Sequence, residues 1–345
     1  MVFEGLFGRK GNDRATEATT QTPAAPTLAR PSIGLALGGG AARGFAHIGV
    51  MRALRAHGIE PDVIVGTSIG AVVGGCYAAG QFDNFEEWAR GLNFRGVLGY
   101  FDLSLSRAGL ISGAQLAKRL EAALGTTHIE DLKIRFAAIA TEIGTGHEIW
   151  LTHGRLVDAL RASYALPGIF APVRIGGRWL VDGALVNPVP VSAARSLGAR
   201  LVIAVNLNSE MFSRGATVST HGSDDFDEQA HAIETESGGL FGLFGGKSGR
   251  NRALRRQLLG GGPSIPTVMI EAFNVMQDRI TRARLAGEPP DVTIAPRIAP
   301  VGWFDFHRAE DAIRIGEEAA ERAIEDIQTA IAALSHPEPV EIAAK

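Results

Sequence analysis

The chain has 345 residues, 46% of them apolar, a net charge of -3 and a single cysteine. This is ample material for a large core, but the charge balance argues against nucleic-acid binding and gives no strong pull toward anionic lipid. An intrachain disulfide is excluded, and the lone thiol fits a reducing compartment.

Residues 1–31 read as a disordered tail: Glu4 and Arg9 break the short apolar start, and Gly11 to Ala29 is rich in Thr, Ala and Pro. No secretion signal is expected there. Ile33-Gly34-Leu35-Ala36-Leu37 then reads as a short apolar strand, followed by Gly38-Gly39-Gly40-Ala41-Ala42-Arg43-Gly44 and a helix over 45–57. A dinucleotide loop would need a third glycine where Arg43 stands, although Glu60 and Asp62 lie at a tolerable distance. Bare amides converging on one point suit an oxyanion hole better, and one such donor is typically worth about 100- to 1000-fold in turnover. Arg43 either meets an anionic phosphate or braces the loop by bonding carbonyls. His47 is expected to pack beside the loop and bond a backbone carbonyl.

The run Val63-Ile64-Val65 leads directly into Gly66-Thr67-Ser68-Ile69-Gly70. A strand that ends in Gly-x-Ser-x-Gly and turns at once into a helix makes a nucleophile elbow, with Gly66 and Gly70 leaving room around Ser68. The helix that follows, through Ala79, reads as buried on nearly every face, with its N-terminal amides toward the serine. The uncharged stretch 63–80 reaches the length of a membrane span, but its five glycines and β-branched start favour strand, elbow and buried helix. No transmembrane helix is expected. Cys76, inside this helix, is a small core residue.

Helical pattern returns over 113–124, strands near 134–143 and 148–151, and a helix over 155–163. Arg178-Trp179-Leu180-Val181 then delivers Asp182 at a strand end, in the turn Asp182-Gly183-Ala184. Asp-Gly is also an ordinary turn signal. A helix over 189–197 and the apolar strand 201–205 follow. Residues 264–334 supply two long amphipathic helices, 266–285 and 306–334, flanking a strand at 291–295. Strand and helix alternation of this kind implies a mostly parallel sheet covered on both faces, in one domain.

Residues 208–263 break the rhythm, with acids at Asp224, Asp225, Asp227 and Glu228, the run Gly239 to Gly245, and basic Arg250, Arg252, Arg255 and Arg256. One reading is a disordered low-complexity insertion. The other is an interfacial element whose Phe and Leu dip into lipid, giving peripheral membrane contact. Residues 335–345 read as a tail.

The motifs together resemble the patatin-like phospholipase family, in its bacterial branch related to the catalytic domain of neuropathy target esterase. The resemblance is carried by the loop 38–44 with Phe45 to Val50, the elbow 66–70, the segment Ala162-Ser163-Tyr164-Ala165-Leu166-Pro167-Gly168-Ile169-Phe170 and the turn 182–184. It runs over residues 32–207 and 264–333. It implies a three-layer α/β fold and a serine–aspartate dyad, with Ser68 as nucleophile and Asp182 as proton acceptor. It also implies a lipid esterase acting on phospholipid or lysophospholipid. No cofactor or metal is expected, and the lone thiol and the lack of a secretion signal point to the cytoplasm or the inner membrane face. The oxyanion hole then draws on Gly38, Gly39, Gly40, Ala41, Arg43 and Gly44. Aligned on Arg43-Gly44, the family's three glycines fall on Gly39, Gly40 and Ala41, so an alanine replaces the last. His307 is the histidine that would complete a conventional triad by chain order, but the resemblance and its place at a helix start speak against it. His128, His147 and His153 have no metal-ligand spacing. A scaffold without turnover and an acyltransferase using the same acyl-enzyme are the other readings.

Overall fold

A computed structural model describes residues 30–92, 114–209 and 265–335. The insertion beyond residue 209 and both tails, apart from residues 30, 31 and 335, lie outside the described residues. So do the two readings attached to the insertion.

Eight strands form one sheet in the order β5-β6-β3-β2-β1-β7-β8, with β4 paired to β3 off this path. The strands are β1 (Ile33–Leu37), β2 (Val63–Thr67), β3 (Arg135–Glu142), β4 (Glu148–Leu151), β5 (Val173–Ile175), β6 (Arg178–Asp182), β7 (Leu201–Val205) and β8 (Val292–Ile294). The centre, β3-β2-β1-β7-β8, is parallel throughout; β4, β5 and β6 form the antiparallel side. β1, β2 and β7 are buried along their whole length, which is why they read as continuous apolar runs rather than alternating ones.

Alternation along these strands feeds two separate apolar layers. Leu35, Leu37, Ile64 and Phe136 face one cluster; Ala36, Val63, Val65 and Ile139 face the other. The first layer is covered by α1 (Ala46–Ala56), α2 (Ile69–Ala78), α3 (Phe82–Arg90), α4 (Ala114–Leu124), α5 (Leu156–Ser163) and the long α8 (Ala309–Ser335). The second is covered mainly by α6 (Val191–Ser196), with Leu285 of α7 (Ile265–Gly287) against it. The expected three-layer α/β fold with a mostly parallel sheet is therefore the observed one.

α1 and α8 cross at backbone contact. A Cβ at Gly49 would lie 1.8 Å from the Ile313 carbonyl oxygen, and one at Gly316 1.9 Å from that of Ala46. Only hydrogen fits at both positions.

Four details depart from the sequence reading. α3, with Phe82, Phe85 and Ala89 buried at helical spacing, and the short half-exposed β5 were not anticipated. The last helix begins at Ala309, after a 3-10 turn over Phe306–Arg308, so His307 precedes the helix. α6 begins at Val191, because Pro190 occupies the cap position.

Candidate active site

β2 ends at Thr67, and the chain reverses through Ser68 at φ 57° and ψ -125° before α2 begins at Ile69. Among the described residues, the non-glycine positions at positive φ are Ser68 and Ala41. Each stores on the order of 1–3 kcal/mol of backbone strain, and the two sit on neighbouring loops. A Cβ at Gly70 would lie 2.3 Å from the Leu37 carbonyl oxygen and 2.7 Å from that of Gly38, so the elbow helix starts against the end of β1.

Sheet register brings the acid to the serine. Thr67 is aligned with Ile139 on β3, and the next β3 residue, Ala140, is aligned with Asp182 on β6. Ser68 Oγ donates to Asp182 Oδ2 at 2.6 Å, and the Ala184 N–H donates to Asp182 Oδ1 at 2.8 Å. Thr141 Oγ1 donates to the Asp182 backbone carbonyl at 2.9 Å. Asp182 is 2% exposed, and burial pushes its carboxyl up to about 7 against the lowering effect of the bonds from Ser68 and Ala184. An ordinary aspartate is a weak base for a hydroxyl proton; this one is matched to neutral pH.

Ser163, which the sequence reading quoted without assigning a role, holds the elbow from below. Its Oγ accepts the Ser68 N–H at 2.9 Å and donates to the Ile139 carbonyl at 2.7 Å, and the side chain is fully buried. The signal was a lone hydroxyl at the end of an otherwise apolar helix face, before Pro167. Ser163→Ala leaves a buried donor and a buried acceptor unmet, worth about 1–3 kcal/mol. We expect a lower melting temperature together with a roughly ten-fold loss of kcat at nearly unchanged KM; steady-state kinetics on the purified variant check it.

The glycine-rich loop uses most of its amides internally. The Gly38 N–H donates to Val205 O at 3.1 Å, Gly39 to Pro188 O at 3.0 Å, Ala42 to Trp303 O at 3.1 Å and Arg43 to Gly40 O at 3.1 Å. The N–H groups of Gly40 and Ala41 have no acceptor among the described residues, and both residues line the cavity that holds Ser68 and Asp182. Gly44 is filled from the other side: a Cβ there would lie 2.0 Å from Ile69 Cγ2.

His47 packs where expected. Its Nε2–H donates to the Gly38 carbonyl at 2.7 Å, and complete burial holds the imidazole neutral, down to about 4. The Arg43 guanidinium is 1% exposed, lies 5.2 Å over the Trp303 ring and points Nε at Gly40 O at 3.4 Å. Burial lowers it to about 10 while Glu271 raises it, so it stays charged, and it does not line the cavity. His307 is exposed and does not line the cavity. Cys76 is a core thiol pushed up to about 12 by burial. Among the described residues no group of three His, Cys, Asp or Glu could hold a metal, and no helix is long and apolar enough to cross a membrane.

The rest of the cavity wall is apolar and aromatic apart from Gln277 of α7: Ile69 and Val72 from α2, Leu116 from α4, Tyr164, Leu166, Ile169 and Phe170 after α5, Phe273 from α7, and Trp303, Phe304 and Phe306. Phe273 meets Trp303 edge-on at 5.8 Å and Tyr164 meets Phe170 at 5.5 Å, so this wall is interlocked.

Residues 35–195 match the family model described as patatin-like phospholipase. An NTE family protein of Mycobacterium tuberculosis is 32% identical over 333 residues, covering 86% of this chain and 92% of the relative. Lysophospholipase NTE1 of Yarrowia lipolytica is 33% identical over 215 residues, which cover 60% of this chain but only 15% of that much longer protein. Among solved structures, VipD from Legionella pneumophila is similar, at a TM-score of 0.42 and 12% identity over 86% of this chain and 67% of that one. With similarity to the mycobacterial relative over most of both chains, the chain belongs to the NTE family of patatin-like phospholipases.

Proposed function

We propose that this protein is a serine acyl hydrolase that cleaves lipid acyl esters, with lysophospholipids or phospholipids as substrates. The observation that carries the reading is the 2.6 Å bond from Ser68 Oγ to a buried carboxylate at the foot of an apolar cavity. The relatives named as lysophospholipases support the substrate class.

In this mechanism Ser68 Oγ attacks the acyl carbonyl carbon while its proton passes to Asp182 Oδ2. The carbonyl oxygen becomes an oxyanion, met by the Gly40 and Ala41 N–H groups, the loop amides not already spent on the scaffold. Collapse of the tetrahedral intermediate expels the alkoxide of the lipid, which takes the proton from Asp182 and leaves as an alcohol. Water then attacks the acyl-enzyme, gives its proton to the same carboxylate, and the freed Ser68 oxygen recovers it as fatty acid departs. The acyl chain lies against the apolar wall. Arg43 and His47 hold the loop without touching substrate.

The test is fatty-acid release from a lysophospholipid and a phospholipid, with fluorophosphonate labelling of Ser68 in parallel. Release together with labelling supports the hydrolase. Absence of both would move a scaffold role ahead, and a new ester formed on adding an alcohol acceptor would identify an acyltransferase.

A further inference from the structure

Helix α7 is built with its polarity reversed. Its inward face carries Asn274, Gln277, Asp278 and Thr281, all 5% exposed or less, beside Phe273. Its outward face carries Val268, Met269, Val275 and Met276, at 49%, 57%, 44% and 48% exposure. With exposed Ala272 these fall at i, i+1, i+4, i+7 and i+8, the spacing of one continuous helical stripe. Sequence periodicity predicts an amphipathic helix here, and the ordinary outcome is an apolar face turned inward. The opposite has happened, and among the described residues nothing covers the stripe.

Its position points to what would cover it. A Cβ added at exposed Gly168 would lie 3.5 Å from Met269 Cε, and the segment around Gly168 supplies Leu166, Ile169 and Phe170 to the catalytic cavity. One and two turns further along the same helix, the buried Phe273 and Gln277 line that cavity. The stripe therefore runs up to the cavity wall. At its other end stand Arg279 and Arg282, both exposed, Arg282 paired with Asp278 at 2.9 Å. Glu271 is the exposed acid at the border of this face. An apolar stripe ending in arginines, continuous with a cavity for acyl chains, matches a bilayer surface: side chains enter the acyl boundary and guanidiniums meet phosphates.

We propose that the outward stripe of α7 is a lipid-docking surface that seats the protein on a membrane with the cavity wall at the interface. The partner follows from the reading of the substrate as a lipid ester, since such esters reside in aggregates.

The experiment uses the full chain and vesicles of equimolar phosphatidylcholine and phosphatidylglycerol. It compares wild type with Met269→Glu/Met276→Glu and with Arg279→Gln, by flotation, by turnover of vesicle lipid and by turnover of soluble p-nitrophenyl butyrate. The double variant is expected to partition onto vesicles about ten-fold or more weakly and to lose vesicle turnover in proportion. Its butyrate turnover and melting temperature stay at wild-type values. Arg279→Gln is expected to lose a few-fold in binding, an effect erased by high salt. Equal flotation of wild type and double variant overturns the proposal. It is also overturned if wild type ignores vesicles and is instead a dimer by light scattering that the double variant makes monomeric, since the stripe would then meet a second copy. Wild type that floats but hydrolyses neither substrate removes the esterase reading and leaves docking standing.

Discussion

Ser68→Ala is expected to lower kcat for lipid-ester hydrolysis by about 10⁴-fold or more while the protein stays folded, and Asp182→Asn to lose a comparable factor. The two losses should be close because the proposed mechanism makes Asp182 both orienter and base; no histidine stands between them at the 2.6 Å contact. Asparagine keeps an oxygen for the Ala184 N–H but cannot take a proton. In wild type the carboxylate must be ionised to act, so kcat/KM should rise with pH and level off above about 7, the value to which burial pushes Asp182.

Stability runs the other way. An acid whose folded pKa lies above its unfolded value binds protons more tightly when folded. Folding is therefore penalised as pH rises from the ordinary carboxylate range through about 7, and the full penalty stands above that. Asp182→Asn escapes it. The variant should melt higher than wild type at about pH 8, by on the order of 2 kcal/mol after allowing for weaker hydrogen bonds, and the margin should shrink toward about pH 5. A dead enzyme whose stability margin over wild type grows from about pH 5 to about pH 8 is the signature to look for, in paired thermal melts.

Gly70→Ala should be among the most damaging single-methyl changes near the site. The added carbon would lie 2.3 Å and 2.7 Å from the carbonyl oxygens of Leu37 and Gly38. Both are backbone atoms held by other parts of the scaffold: Leu37 pairs across the sheet with Gly66 and Val205, and Gly38 O accepts from His47. Neither can yield as a flexible side chain would. A loss of about 3 kcal/mol or more is expected, with at least a hundred-fold fall in kcat, because the elbow and the glycine-rich loop are pushed apart. Gly287→Ala, where a Cβ meets nothing within 4 Å, is the control and should be close to neutral. Urea unfolding of the two variants separates steric cost from the general effect of replacing glycine.

Much of this was legible in the chain. The parallel strands announced themselves as apolar runs because both faces are covered, and the elbow at Ser68 followed from a strand running without pause into Gly-x-Ser-x-Gly. Asp182 could be read as a strand-end carboxylate, but its partner needed register across β3. Which loop amides are spent was not readable, because their acceptors, Val205, Pro188 and Trp303, come from remote segments. The role of Ser163 was hidden for the same reason. With α7, periodicity gave the existence of an apolar face and could not give its direction.

The two halves of the dyad are 114 residues apart in the chain, and the acid arrives on a strand held to β3 by only three aligned pairs. Its other neighbour, β5, is itself a three-residue outer strand. The elbow, by contrast, is embedded among the parallel strands. Under the proposed dyad, competence is tied to one of the least anchored parts of the sheet: detachment of the β5–β6 hairpin should silence the serine while the remainder stays intact. On warming, turnover should disappear before the cooperative transition. During synthesis, the chain stays inert until that hairpin has docked.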